Sequence, residues 1–108
     1  MTLKNYVNGA FVPAWNGSVR PFHNPADNSV LGEAADSSVE DVDKAVLAAR
    51  EAFDNGPWPR TPAPERAARL FRLADLIESR AEELAAMETR NCGKPLRESR
   101  FDVADAAA

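Results

Sequence analysis

The stretch Asp36-Ser37-Ser38-Val39-Glu40-Asp41-Val42-Asp43-Lys44-Ala45-Val46, residues 36–46, divides the chain into two kinds of sequence. Its first three residues carry helix-opening chemistry: Ser37 with Glu40, or Ser38 with Asp41, can form a capping box, and Glu40, Asp41 and Asp43 crowd the positive end of the helix dipole. From there Val39, Val42, Val46, Ala49 and Phe53 recur at spacings of 3, 4, 3 and 4, the signature of one narrow apolar stripe on a helix. Asn55-Gly56-Pro57 closes that helix. Upstream of the stretch the apolar residues come in short runs between turn signals, and downstream they keep a helical period, so the fold class is α/β.

Working back toward the start, Asn8-Gly9 lies between Tyr6-Val7 and Phe11-Val12. That dipeptide readily takes two positive φ angles and predicts a β-hairpin. A second strand pair is expected over residues 19–22 and 29–34, joined by the turn chemistry of Asn24-Pro25-Ala26-Asp27-Asn28. Strands this short need a larger sheet or a covering helix.

Working forward, Thr61-Pro62 supplies a capping hydroxyl and a first-turn proline. Leu70, Phe71, Leu73, Ala74, Leu76 and Ile77 then cover a wide arc, which predicts a helix buried on more than one side. Ser79 with Glu82 is a further capping-box signature and predicts a break, followed by a third helix running to Gly93. Pro95 opens a fourth, which reaches Ala106-Ala107-Ala108 with no glycine, asparagine or basic residue to satisfy its last carbonyls. The sequence is therefore expected to stop in mid-helix. The architecture is amino-terminal β-hairpin strands followed by about four helices.

The 108 residues exclude a complete two-domain enzyme. Of 48 hydrophobic residues 20 are alanine, and only 22 residues are Leu, Ile, Val or Phe, so the core is thin and the chain is expected to pack on something else. Net charge is −4, with 4 Lys/Arg against 8 Asp/Glu in residues 1–55 and 9 against 9 in residues 56–108. No basic face stands out, which argues against nucleic acid or an anionic membrane as partner. No apolar run has the length of a signal peptide or a membrane span. A single cysteine, Cys92, precludes an internal disulfide and suits a reducing, cytoplasmic setting.

Residues that could carry chemistry have simpler roles beside them. Cys92 lies near Lys94 and Arg90, which could activate a thiol, yet it precedes a helix-ending glycine and is expected to pack as a small apolar group. His23 has no partner for zinc and reads as a surface or turn residue. Asp102 and Asp105, three apart on the last helix, share a face that could attract a cation or simply face water. The row Arg66, Arg69, Arg72 is matched by Glu65 and Asp75 and reads as an exposed, charge-balanced face. There is no Gly-x-Gly-x-x-Gly, no Walker loop and no Ser/His/Asp set.

The order Asn5-Tyr6-Val7-Asn8-Gly9, Asn24-Pro25-Ala26, Glu40-Asp41-Val42-Asp43-Lys44-Ala45-Val46, Leu73-Ala74-Asp75-Leu76-Ile77-Glu78 and Gly93-Lys94-Pro95 resembles the amino-terminal region of the NAD(P)-dependent aldehyde dehydrogenase superfamily. The form Asn91-Cys92-Gly93-Lys94-Pro95 looks most like its aminoaldehyde and betaine aldehyde branch. The resemblance implies that residues 1–108 are the amino-terminal part of the coenzyme-binding and oligomerisation region of a cytoplasmic enzyme. Such an enzyme oxidises an aldehyde to the acid with NAD or NADP, as a homodimer or homotetramer, by attack of a cysteine thiolate and hydride transfer. In the family the nucleophile, the general base and the coenzyme site come later in the chain, so no catalytic or cofactor residue is expected here, and Cys92 is not the nucleophile.

Two features of the family fall inside these residues. A structural Na+ or K+ would take Phe22, His23 and Asn91 as ligands, with Asn91 neutral where the family often has aspartate. Asp102 and Asp105 would line the substrate entrance and attract an ammonium group. The rival expectation is a small, non-enzymatic helical interaction module that lends the stripe of Val39, Val42, Val46, Ala49 and Phe53 to a partner.

Overall fold

The computed structural model describes every residue from Met1 to Ala108. Its elements are β1 (Thr2–Leu3), β2 (Asn5–Val7), β3 (Ala10–Val12), β4 (Val19–His23), β5 (Val30–Ala35), α1 (Val39–Asp54), a 3-10 turn at Trp58–Arg60, α2 (Ala63–Ser79), α3 (Ala81–Cys92) and α4 (Leu96–Ala107). They form two compact units, one of residues 1–22 and 30–60, the other of residues 23–29 and 61–108.

In the first unit the Asn8-Gly9 turn forms as its dipeptide predicts, with φ of 49° and 80°. It pairs β2 with β3 in the register Asn5↔Val12, Tyr6↔Phe11, Val7↔Ala10. Tyr6 and Phe11, directly opposite, bring their rings to 5.0 Å between centroids. A three-stranded sheet has the order β1-β5-β4, with β1 parallel to β5. Two residues are too few to show any period, and β1 was not legible in the sequence. Gly32 of β5 is buried, and the position needs glycine because a Cβ there would lie 2.6 Å from the Met1 carbonyl oxygen and 3.2 Å from the Phe22 ring.

Helix α1 opens on Ser38, and the box that forms is Ser38 with Asp41. The Asp41 carboxylate accepts the Ser38 N–H at 2.9 Å and also the Trp15 N–H at 3.0 and 3.1 Å, tying the helix start to the chain after the hairpin. Ser37 instead exchanges hydrogen bonds with the Asn5 amide on β2. The apolar stripe of α1 is uncovered within this chain: Val39, Val42, Val46 and Phe53 are all exposed, Phe53 at 69%.

The second unit is an assembly of α2, α3 and α4, with α4 packed against both others. Three expectations change here. The α2 cap position falls on Pro62 rather than Thr61, and the Pro62 carbonyl accepts the N–H groups of Glu65 and Arg66. The wide arc of α2 is not buried: Leu70, Phe71, Leu73 and Leu76 are exposed, because α3 and α4 occupy only the side marked by Ala67, Ala74 and Ile77. The break between α2 and α3 lies where expected, but the Ser79–Glu82 box does not form. Ser79 Oγ donates back to the Leu76 carbonyl, and Glu82 is drawn away by Arg100 of α4 in a two-pronged ion pair.

The buried residues are correspondingly small. Ala14, Ala85 and Val103 are the buried apolar ones, and Ser99 is fully buried with its hydroxyl 3.0 Å from that of Thr89. Small side chains let α3 and α4 approach closely, and a hydroxyl at that seam is tolerated because it is paired. No helix is long and apolar enough to cross a membrane.

Candidate functional site

The sequence-selected residues concentrate around the junction of α3 and α4. Helix α3 ends at Gly93 in the left-handed region, φ 77°, with its N–H returned to the Thr89 carbonyl at 2.9 Å. A Cβ on Gly93 would lie 3.0 Å from Pro25 Cγ, so the Asn24-Pro25 turn sits directly on this helix end. The turn is itself closed by hydrogen bonds from the Asn24 N–H to the Ser29 carbonyl and from the Asn28 N–H to the Asn24 carbonyl.

Lys94 follows in the connection and is held by two carboxylates. Its ammonium lies 3.0 Å from Glu88 Oε1 on α3 and is also paired with Asp102 on α4. These bonds, Asp102 first and Glu88 second, hold the amine above the usual lysine range. The pair along the last helix is thus unequal: Asp102 already has a cation, and Asp105 is exposed three residues on. Their shared face was readable from spacing, whereas the claim of Lys94 on Asp102 was not, since it depends on how the connection folds back.

Asn91 is exposed in the last turn of α3 and His23 is exposed at the end of β4, while Phe22 is half-buried. The Pro25–Gly93 contact brings the turn that follows His23 to the helix end that follows Asn91. No group of three or more His, Cys, Asp or Glu side chains could hold a metal ion. Cys92 is exposed rather than packed, because α3 turns its final residue outward. Its Sγ donates to the Glu88 carbonyl at 3.1 Å. That places the thiol at the carbonyl end of a helix, the electrical opposite of the N-terminal position that activates nucleophilic cysteines.

A dinucleotide needs a helix start with free N–H groups and no competing negative charge. Every helix start here carries a carboxylate in its first turn: Glu40 and Asp41 on α1, Glu65 on α2, Glu82 and Glu83 on α3, Glu98 on α4. At the start of α1 the Ser38 N–H is further engaged by Asp41, and α2 and α4 have prolines at their cap positions. The residues present do not fit the phosphates of NAD.

Elsewhere, a cleft of about 350 Å³ is lined by Asn5, Val7, Trp15, Asp41 and Lys44 among others, and its charged groups are engaged locally. Asp41 accepts the Trp15 N–H, and Lys44 Nζ lies 3.7 Å above the Trp15 ring. The Arg69 and Arg72 face is exposed, and its expected pairings with Glu65 and Asp75 are not made.

The fold that carries these features is shared with known proteins. Residues 11–108 match the model of the aldehyde dehydrogenase family, and the chain belongs to that family. It is 47% identical over 98 residues to aldehyde dehydrogenase 1 of Tanacetum cinerariifolium, covering 91% of this chain and 20% of that protein. The NAD-dependent aldehyde dehydrogenase of Sinorhizobium meliloti superposes with a TM-score of 0.92 at 41% identity, over 99% of this chain and 22% of that one. The betaine aldehyde dehydrogenase of Staphylococcus aureus in complex with NAD+ gives 0.89 at 35%, over 94% and 20%. The chain spans between about a tenth and a fifth of the length of the curated relatives it matches. Its fold is that of the amino-terminal part of these enzymes, which replaces the reading as an independent interaction module.

Proposed function

We propose that this chain is the amino-terminal segment of an enzyme that oxidises an aldehyde to the carboxylic acid with NAD or NADP, and that the segment supports the coenzyme-binding region without itself catalysing. The observation that carries the reading is agreement over 99% of the chain with the start of an NAD-dependent aldehyde dehydrogenase. The carboxylate-bearing helix starts agree with it, since they leave the coenzyme to other residues of the parent enzyme. So does the exposed stripe of α1 and arc of α2, which suit packing against the rest of the parent chain and its copies in a homodimer or homotetramer.

An aminoaldehyde such as betaine aldehyde is the substrate class we favour, on the Asn91-Cys92-Gly93-Lys94-Pro95 form and the likeness to a betaine aldehyde dehydrogenase. Asp102 and Asp105 would then lie at the substrate entrance. By the resemblance, Phe22, His23 and Asn91 would hold a structural Na+ or K+; the seating of Pro25 on Gly93 favours the part of it made by His23 and Asn91. The single cysteine suits a cytoplasmic enzyme.

The test has two stages. The intact mass of the native gene product should be several times that of this chain, and that product should reduce NAD+ or NADP+ when given aliphatic, aromatic or cationic aldehydes. A native product of 108 residues, or a longer one that reduces neither coenzyme with any of them, overturns the proposal.

A further inference from the structure

The chain carries 10 arginines but only three lysines, Lys4, Lys44 and Lys94, and the structure treats the three amines very differently. Lys4 is exposed between β1 and β2 and makes no ion pair. Lys44 is exposed, with its ammonium over the Trp15 ring. Lys94 is half-buried, its side chain 34% exposed, and bridges Glu88 and Asp102 from successive helices. We propose that Lys94 is the lysine this fold withdraws from carbonyl chemistry, and that Lys4 is the lysine side chain at which an electrophilic aldehyde most readily forms its adduct.

An aldehyde reacts only with a neutral amine. The nitrogen lone pair forms a bond to the carbonyl carbon, and the carbonyl oxygen leaves as water with the two remaining N–H protons. The product is an imine, with no change of oxidation state. For Lys94 to take the first step it must shed the proton that both carboxylates hold, and turn its nitrogen away from both. The product would leave Glu88 and Asp102 facing each other without their shared cation, a like-charge contact that the starting state avoids. Lys4 meets none of these obstacles. The inference concerns reactivity of the fold and stands apart from the proposed enzymatic activity, although a protein that handles aldehydes is where such protection matters.

The experiment is reductive methylation of the intact protein with limiting formaldehyde and cyanoborohydride at mildly alkaline pH, with each lysine quantified by peptide mapping. Lys94 should label at least about tenfold more slowly than Lys4, since each pKa unit changes the neutral fraction tenfold. In Glu88→Gln/Asp102→Asn, Lys94 should approach the rate of Lys4, while the Lys4 rate and the helical circular dichroism stay unchanged. In urea all three should label alike. Equal labelling of Lys4 and Lys94 in the native protein overturns the proposal. So does a folded double variant in which Lys94 stays slow, because burial by other parts of the molecule would then be the cause.

Discussion

Replacing Gly93 by alanine tests how the Asn24-Pro25 turn is fastened to the end of α3. The first cost is conformational: at φ 77° a Cβ crowds its own backbone, for about 1–2 kcal/mol. The second is steric: the new methyl would sit 3.0 Å from Pro25 Cγ, tighter than an ordinary carbon contact near 3.5–4.0 Å. The ring is closed into its turn by two backbone hydrogen bonds and can yield only a little, which adds about 1 kcal/mol on the scale of mild overpacking. The sum is about 2–3 kcal/mol. Pro25→Ala removes the ring atom that would be struck, so in that background Gly93→Ala should cost only the conformational part, and the coupling in the double-mutant cycle should be about 1 kcal/mol. Hydrogen exchange of the intact protein, read on peptides covering α3 and α4, measures both quantities. A zero coupling energy would show that the turn does not rest on Gly93. A Gly93→Ala change that costs nothing would show that the helix does not end in the left-handed conformation.

Ser99 and Thr89 share a hydroxyl contact at the α3–α4 seam, so Ser99→Ala should cost about 1 kcal/mol and Ser99→Leu about 1–3 kcal/mol through overpacking, by the same exchange measurement; a leucine variant as stable as the parent would refute the tight seam. The Asp41 carboxyl is held below its ordinary value of 3.8 by the Ser38 and Trp15 N–H groups. Its stabilising effect is thus complete above the unfolded value of about 3.9 and is lost only as pH falls through the lower folded value. Carboxyl NMR titration should place the midpoint under 3.8, Asp41→Asn should abolish the accompanying release of the Trp15 amide, and a midpoint at or above 3.8 contradicts the cap. The chain of 108 residues by itself should bind an apolar dye and melt broadly, since Phe53, Phe71 and Phe101 are all exposed; a sharp, cooperative melt of a monomer without dye binding would refute this.

Local chemistry accounts for what could be read early. The hairpin followed from Asn8-Gly9, the start of α1 from Ser38 and Asp41, and the end of α3 from Gly93, because each of these outcomes is decided within about four residues of chain. The same locality explains the errors. Ser79 and Glu82 have the spacing of a box, but Glu82 finds a guanidinium on α4, 18 residues away, and a two-pronged ion pair competes with a backbone N–H for the same carboxylate. Of the candidate site residues, the shared face of Asp102 and Asp105 was visible in their spacing. Helical period likewise revealed that α2 has a wide apolar arc without revealing whether anything covers it.

Sequence alone therefore determined the kinds of element, their order and the family resemblance, since turn dihedrals, caps and periodicity depend on near neighbours. Only the tertiary structure decided that Cys92 faces outward, that Pro25 rests on Gly93 and that Lys94 claims Asp102. Those outcomes depend on where α3, α4 and the turn of residues 23–29 come to lie. That placement is a balance of burial and charge among residues far apart in the chain, and no local pattern encodes it.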